Sequence, residues 1–267
     1  MTPWRVLIAM LAAAGLALAG CASTPAPDQE TRQVLAPTGK LRVGVYLGSP
    51  TSMVRDAGTR EPRGVTYELG RELAQRLGVP FEAVEFPRVS DVVDAMKDGR
   101  VDFTVTNATA ARAMLVDFTA PLLDLELGYL VLPGSPVTAI GDVDRAGIRV
   151  GVTQGSTSQS SLSRQLKNAT LVPSATVVSA IEMLSRREVD AYATNKAILF
   201  EMSDRLPGSR VLDGRWGVEH LAIGFPKGRE SGAAYLRQFA DEAKRGGSAR
   251  RAAERAGLRG TAEAMTP

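Results

Sequence analysis

From about residue 39 onward, short β-branched runs alternate with stretches whose apolar residues recur at helical spacing. LRVGVYL, residues 41–47, reads as a first strand. After a Pro/Gly-rich loop, Leu69, Leu73 and Leu77 recur every four residues, which predicts a helix capped by Thr66 and ended by Gly78 and Pro80. A second helix is expected from Ser90 to Gly99, followed by strands at VDFTVT (101–106) and GYLVL (128–132). The same logic then repeats. IRVGV (148–152) reads as a strand, SQSSLSRQLKN and VVSAIEMLSRR as helices, VDAYAT (189–194) and HLAIGF (220–225) as strands, and the last forty or so residues as helical. This alternation is the signature of an α/β protein with largely parallel sheets.

An internal echo sharpens the picture. Residues 101–107 and 189–195 share the pattern VDxxxTN, and each follows an apolar-patterned helix. About 230 residues is long for one core, so two similar lobes are expected. Ligands of open parallel sheets bind beyond the carboxyl ends of strands, which would set Asn107 and Asn195 facing one another across a cleft.

The N-terminus is of another kind. Arg5 precedes an uncharged run of apolar and small residues that reaches Cys21, and residues 1–20 read as a signal peptide. Leu18-Ala19-Gly20-Cys21 resembles the bacterial lipobox, whose Cys is acylated; the alternative is a small-residue cleavage site with an accidental Cys. Residues 21–38 then read as a flexible linker from a lipid anchor at the periplasmic side of the cell envelope. Cys21 is the only cysteine, so stability rests on packing rather than disulfides. A formal net charge of +3 over 267 residues argues against a nucleic-acid surface, and the basic stretch from Lys244 to Arg259 reads as a solvated helix. A single histidine, His220, makes a His-dependent triad or a multi-His metal site hard to build; no cofactor is expected.

The segment DFTVTNATAARAMLVDFTAPLL, with GVTYELGRELAQRLGV before it and GIRVGVTQGSTSQSSL after it, resembles solute-binding protein family 3, the amino-acid-binding components of ABC importers. The resemblance covers roughly residues 39–260. It implies a periplasmic-binding-protein type II fold, two α/β lobes joined by two crossing hinge strands that close around the ligand. Placed on this chain, lobe 1 would be 39–130 plus 224–267 and lobe 2 131–223, with crossings near Gly128–Leu132 and His220–Phe225. The implied partners are a small polar or anionic solute and the membrane permease of an ABC transporter, with the protein acting as a monomer.

The resemblance also implies a binding set. Arg112 stands where the family clamps the ligand carboxylate, for which a planar guanidinium offers paired donors. Thr106, Asn107 and Thr109 lead into it, and the alternative for Arg112 is a surface residue at a helix start. Gly155, Ser156 and Thr157 match the second-lobe loop that meets the same carboxylate; ordinary helix capping could coexist with that role. Tyr46 is the aromatic nearest the first strand, either a platform for the ligand or core, and Tyr192 and Trp216 are expected to pack. Asn195 stands where the family carries an Asp for the α-ammonium, and the stretch from Asp102 to Arg112 is about two residues short. An amide cannot neutralise a cation, so a carboxylate or other polar ligand without a free ammonium is expected. Two rivals remain: a dehydratase of the same fold using Glu68, Glu126 or Glu219 as acid, and a sensor for a membrane receptor.

Overall fold

The computed structural model describes residues 27–56 and 58–262. Residues 1–20, read above as a signal peptide, and the lipobox-like stretch ending at Cys21 lie outside the described residues.

The first part of the chain runs α1 (Gln29–Leu35), β1 (Leu41–Tyr46), β2 (Val54–Arg55), β3 (Pro62–Arg63), α2 (Val65–Leu77), β4 (Phe81–Phe86), α3 (Val89–Lys97), β5 (Thr104–Asn107), α4 (Ala110–Ala113) and β6 (Asp117–Phe118). A long strand, β7 (Leu123–Val131), leads to β8 (Arg149–Thr153), α5 (Thr157–Gln165), β9 (Thr170–Ser174), α6 (Val177–Ser185), β10 (Ala191–Asn195), α7 (Lys196–Ser203) and β11 (Arg210–Val211). A second long strand, β12 (Gly217–Phe225), returns to α8 (Glu230–Arg245) and α9 (Ser248–Arg255).

β7 and β12 are the two crossings. They pair antiparallel from Leu123↔Leu221 to Leu127↔Gly217, a few residues before the stretches that the apolar runs suggested. Their pairing makes one sheet in the order β5-β12-β7-β10-β8-β9, so the sheets of the two lobes meet through the hinge. β1 and β4 pair in parallel beside this sheet, and Val43 bridges to Phe103.

Each lobe is held by its own core. In lobe 1, Val43 and Val45 of β1, Leu69, Leu73 and Leu77 of α2, Phe103, and Leu236 and Phe239 of α8 form one buried cluster. In lobe 2 the period of two in β10 separates two clusters. Ala191 and Ala193 face Val150, Val152 and Leu162, while Tyr192 between them faces Leu130, Leu184 and Met202. Gly44 and Gly151 occupy equivalent places in RVGV and serve the same purpose. A Cβ at Gly44 would come within 2.8 Å of Val92, and one at Gly151 within 2.5 Å of Tyr192.

The VDxxxTN echo marks a repeated clamp. Asp102 accepts from the Arg42 backbone N–H (3.0 Å), Nε (2.9 Å) and Nη2 (2.8 Å). Asp190 accepts from the same three groups of Arg149 at 2.8, 3.1 and 2.9 Å.

Three expectations are corrected. The stretch read as a flexible linker is helical from Gln29: Asp28 caps α1, and Leu35 is buried against α8. The cap of α2 is Gly64 rather than Thr66; Thr66 lies inside the helix and its Oγ1 donates to the Thr51 carbonyl at 2.9 Å. Strands β4 and β9 were not foreseen. The tail beyond α9 also does more than end a helix. Gly260 O accepts from Glu126 N, Ala262 N donates to Asp124 O, and Thr261 bridges Leu125, so residues 260–262 lie along β7 at the hinge.

Candidate functional site

The carboxyl ends of β5, β8 and β10 converge on a cleft between the lobes. Its space free of protein atoms, open mouth included, is about 550 Å³. Tyr46, Thr106, Asn107, Arg112, Ser156, Thr157 and Asn195 all line it. Thr109 and Gly155 do not; they line an adjoining groove shared with Arg112, Ser156 and Thr157.

Arg112 is held from below. The four-residue turn α4 is capped by Thr109, whose Oγ1 accepts from Arg112 N at 3.3 Å. The guanidinium Nη1 donates to Thr106 Oγ1 at 2.8 Å and to the Asn107 carbonyl at 3.3 Å. Nε and Nη2 donate to no acceptor among the described residues, so two of the three nitrogens of a 9 % exposed guanidinium remain uncommitted. Burial pushes its pKa below the ordinary arginine value, and the nearby Glu219 carboxylate opposes that shift.

On the facing lobe Ser156 caps α5, accepting from Gln159 N at 3.1 Å. The Gly155 N–H donates to Gln159 Oε1 and the Ser156 N–H to the Thr153 carbonyl. The N–H groups of this terminus that find no acceptor among the described residues are therefore those of Thr157 and Ser158. Gly155, at φ +72°, lies so close to lobe 1 that a Cβ there would be 2.7 Å from Ser90 Oγ. The lobes also touch through Asn107 Nδ2, which donates to Thr157 Oγ1 at 3.4 Å, and through Arg88 Nη1, which donates to Gln154 Oε1 at 3.3 Å.

Both polar atoms of the Asn195 side chain have protein partners. Its Oδ1 caps α7 through Ile198 N at 3.1 Å, and its Nδ2 donates to Glu219 Oε2 at 3.0 Å. Glu219, on β12, also accepts from Thr157 Oγ1 at 2.6 Å. The sequence put Glu219 forward only as a possible acid; the structure brings this carboxylate to the side of Asn195. Of the three candidate glutamates, Glu219 alone lines the cleft. Glu68 is paired with Arg255, and Glu126 with Lys196 and Arg215.

Tyr46 sits on the cleft wall, and burial raises its hydroxyl pKa, opposed by bonds to Ser49 and Thr51. Tyr192 and Trp216 are packing residues: the Tyr192 hydroxyl is bonded to Thr153 and Ser174, and Trp216 Nε1 donates to the Gly128 carbonyl. His220 is exposed, its Nδ1 2.7 Å from Asp124 Oδ1. Thr51, Thr194 and the Pro87–Val89 loop also line the cleft and were missed. That loop follows β4, so overlooking the strand concealed its position.

Residues 41–257 match the family model of the bacterial extracellular solute-binding proteins, family 3. The chain belongs to this family. A glutamine-binding protein of Geobacillus stearothermophilus is 24 % identical over 85 % of this chain and 94 % of its own length. The membrane-bound lytic murein transglycosylase F of Vibrio cholerae is 34 % identical, over 44 % of this chain and only 20 % of that protein. Solved structures confirm the two-lobed fold. A Neisseria gonorrhoeae solute receptor for L-cysteine superposes with TM-score 0.74 at 23 % identity, covering 84 % of this chain and 92 % of that one. The ancestral amino-acid-binding protein described as a precursor of cyclohexadienyl dehydratase gives TM-score 0.72 at 21 % identity, covering 84 % and 98 %. Family 3 members are extracellular solute-binding proteins, and none of the helices among the described residues is long and apolar enough to cross a membrane.

Proposed function

We propose that this family 3 protein is the capturing component of an ABC-type importer, closing its lobes over a small carboxylate-bearing solute, an amino acid or a related polar compound. The observation that carries the reading is Arg112, buried at the cleft with Nε and Nη2 uncommitted while Nη1 is fixed by Thr106 and the Asn107 carbonyl. Two parallel donors of a guanidinium match the two oxygens of a carboxylate. The first turn of α5 faces the same space and adds N–H groups and the positive end of its dipole. The names of the glutamine-binding relatives agree with an amino-acid-like solute. The reading includes the anchor: acylated Cys21 would hold the protein at the envelope beside the permease it serves.

Thermal melts against the proteinogenic amino acids, organic acids and short peptides test this. At a hundredfold excess over Kd, binding adds about 2.7 kcal/mol, a rise of roughly 5–10 °C for a domain of this size. Arg112→Ala is expected to abolish the rise. A panel with no shift for the unaltered protein would remove the main support. Labelled palmitate incorporation, lost in Cys21→Ser, tests the anchor.

One observation favours a second reading, an enzyme of the same fold: Glu219 stands in the cleft as a possible acid. Turnover of a cyclic prephenate-like acid, abolished in Glu219→Gln, would place the protein there instead.

A further inference from the structure

Two buried charges of opposite sign line one cavity without touching each other. Arg112 is 9 % exposed and Glu219 7 %, and neither makes an ion pair among the described residues. Burying a charge without a partner is costly, and such groups are usually paired in the folded protein. Glu219 is instead held ready by two neutral donors, one on each oxygen: Thr157 on Oε1 and Asn195 on Oε2. A carboxylate has about four acceptor sites, so each oxygen keeps one free.

Resting on the reading of Arg112 as the carboxylate clamp, we propose that Glu219 on the crossing strand, and not residue 195, receives the ammonium group of a zwitterionic ligand, which makes Glu219 the specificity-determining carboxylate of this cleft. A zwitterion neutralises both ends of the cavity at once. A simple carboxylate would satisfy Arg112 and leave Glu219 uncompensated beside a second anion.

The role of Asn195 follows. An Asp at that position would bring a second carboxylate to the distance at which Asn195 Nδ2 now donates to Glu219, 3.0 Å, where two like charges do not both ionise. The amide turns a rival charge into a donor, and its Oδ1, fixed on Ile198 N, sets which way the donor points. Asn195 is thus a positioning residue, and the anionic contact has moved from β10 to the crossing strand β12. The sequence expectation that ammonium recognition is weakened or lost gives way to one in which it is relocated.

Calorimetric titration with the twenty L-amino acids, then with the des-amino acid of each binder (4-carbamoylbutanoate for glutamine, 5-guanidinopentanoate for arginine), separates the cases. The amino acid is expected to bind at least about 30-fold tighter than its des-amino partner, as for loss of a buried charge partner. Glu219→Gln keeps the acceptor geometry on one oxygen and is expected to weaken the amino acid by a similar factor while leaving the des-amino compound unchanged or tighter. Equal binding of the two compounds to the unaltered protein overturns the role of Glu219 and leaves the carboxylate clamp standing. Des-amino binding that falls with Glu219→Gln as steeply as amino-acid binding also overturns it. Binding of neither compound in any pair overturns both readings. The comparison on unaltered protein decides the matter even if Glu219→Gln fails to fold.

Discussion

The two lobes begin alike and are secured differently. LRVGV in lobe 1 and IRVGV in lobe 2 each place an arginine whose backbone N–H, Nε and Nη2 all meet one aspartate from the VDxxxTN segment. In both, Nη2 also reaches the carbonyl of a preceding turn, Gly99 in one and Arg187 in the other. The surroundings separate them. The Asp102 side chain is wholly buried and receives a second arginine, Arg229, at 2.7 Å. Asp190 has Arg149 alone, and 43 % of that arginine's side chain remains in solvent. One clamp therefore ties three distant segments of lobe 1, including the entry to α8. The other closes a strand pair near the surface. A shared motif fixes geometry, while burial and the number of partners decide how much stability depends on it.

The largest expected effect breaks the deeper clamp. Asp102→Ala leaves Arg42 and Arg229 facing each other without an anion, and a loss of about 3–5 kcal/mol is expected in urea unfolding. Asp190→Ala should cost less, about 1–3 kcal/mol, because Arg149 can return to water. If the two losses are equal, burial is not what distinguishes the clamps.

Acid sharpens the contrast further. The Arg149 hydrogen bonds hold the Asp190 carboxyl below the usual aspartate range, with burial opposing. A depressed folded pKa means stability that is present above the unfolded value of about 3.9 and lost as pH falls through the folded value. Urea midpoints of the native protein should therefore drop on acidification below about pH 4, and part of that drop should vanish in Asp190→Ala. The smallest effect is expected from Arg259→Ala. Its ion pair with Asp204 is exposed and its guanidinium also lies over Phe200, so no more than about 1 kcal/mol should be lost.

Most of the architecture was legible because it is written in local periodicity. The Leu69, Leu73, Leu77 stripe and the β-branched runs of β1, β5, β8, β10 and β12 face the cores that they predict. The missing elements obey longer-range causes. β9 contains Pro173, tolerated because the strand is the sheet's edge and donates on one side only. α1 is short and polar, and its position is decided by Leu35 meeting α8 some two hundred residues later. The site divides in the same way. The place of Arg112 in the cleft wall was legible only through family resemblance, since a four-residue turn carries little pattern of its own. Glu219 escaped as a binding residue because Thr157, Asn195 and Glu219 lie on three separate elements and share no spacing that a single sequence displays.

The tail beside β7 bears on the mechanics of the hinge. Two paired strands form a ribbon that twists readily, and twist is larger in two-stranded ribbons than in wider sheets. Here a third segment is laid along the crossing by Gly260 and Ala262, and Arg259 fastens it to lobe 2 through Asp204 and the face of Phe200, 4.8 Å away. A wider ribbon is a stiffer axle. In the lobe closure proposed above, the lobes would swing through a narrower arc than two free strands allow, and the open form would stay nearer to the closed one. Arg259, of little weight for stability, would then govern how wide the jaws can open.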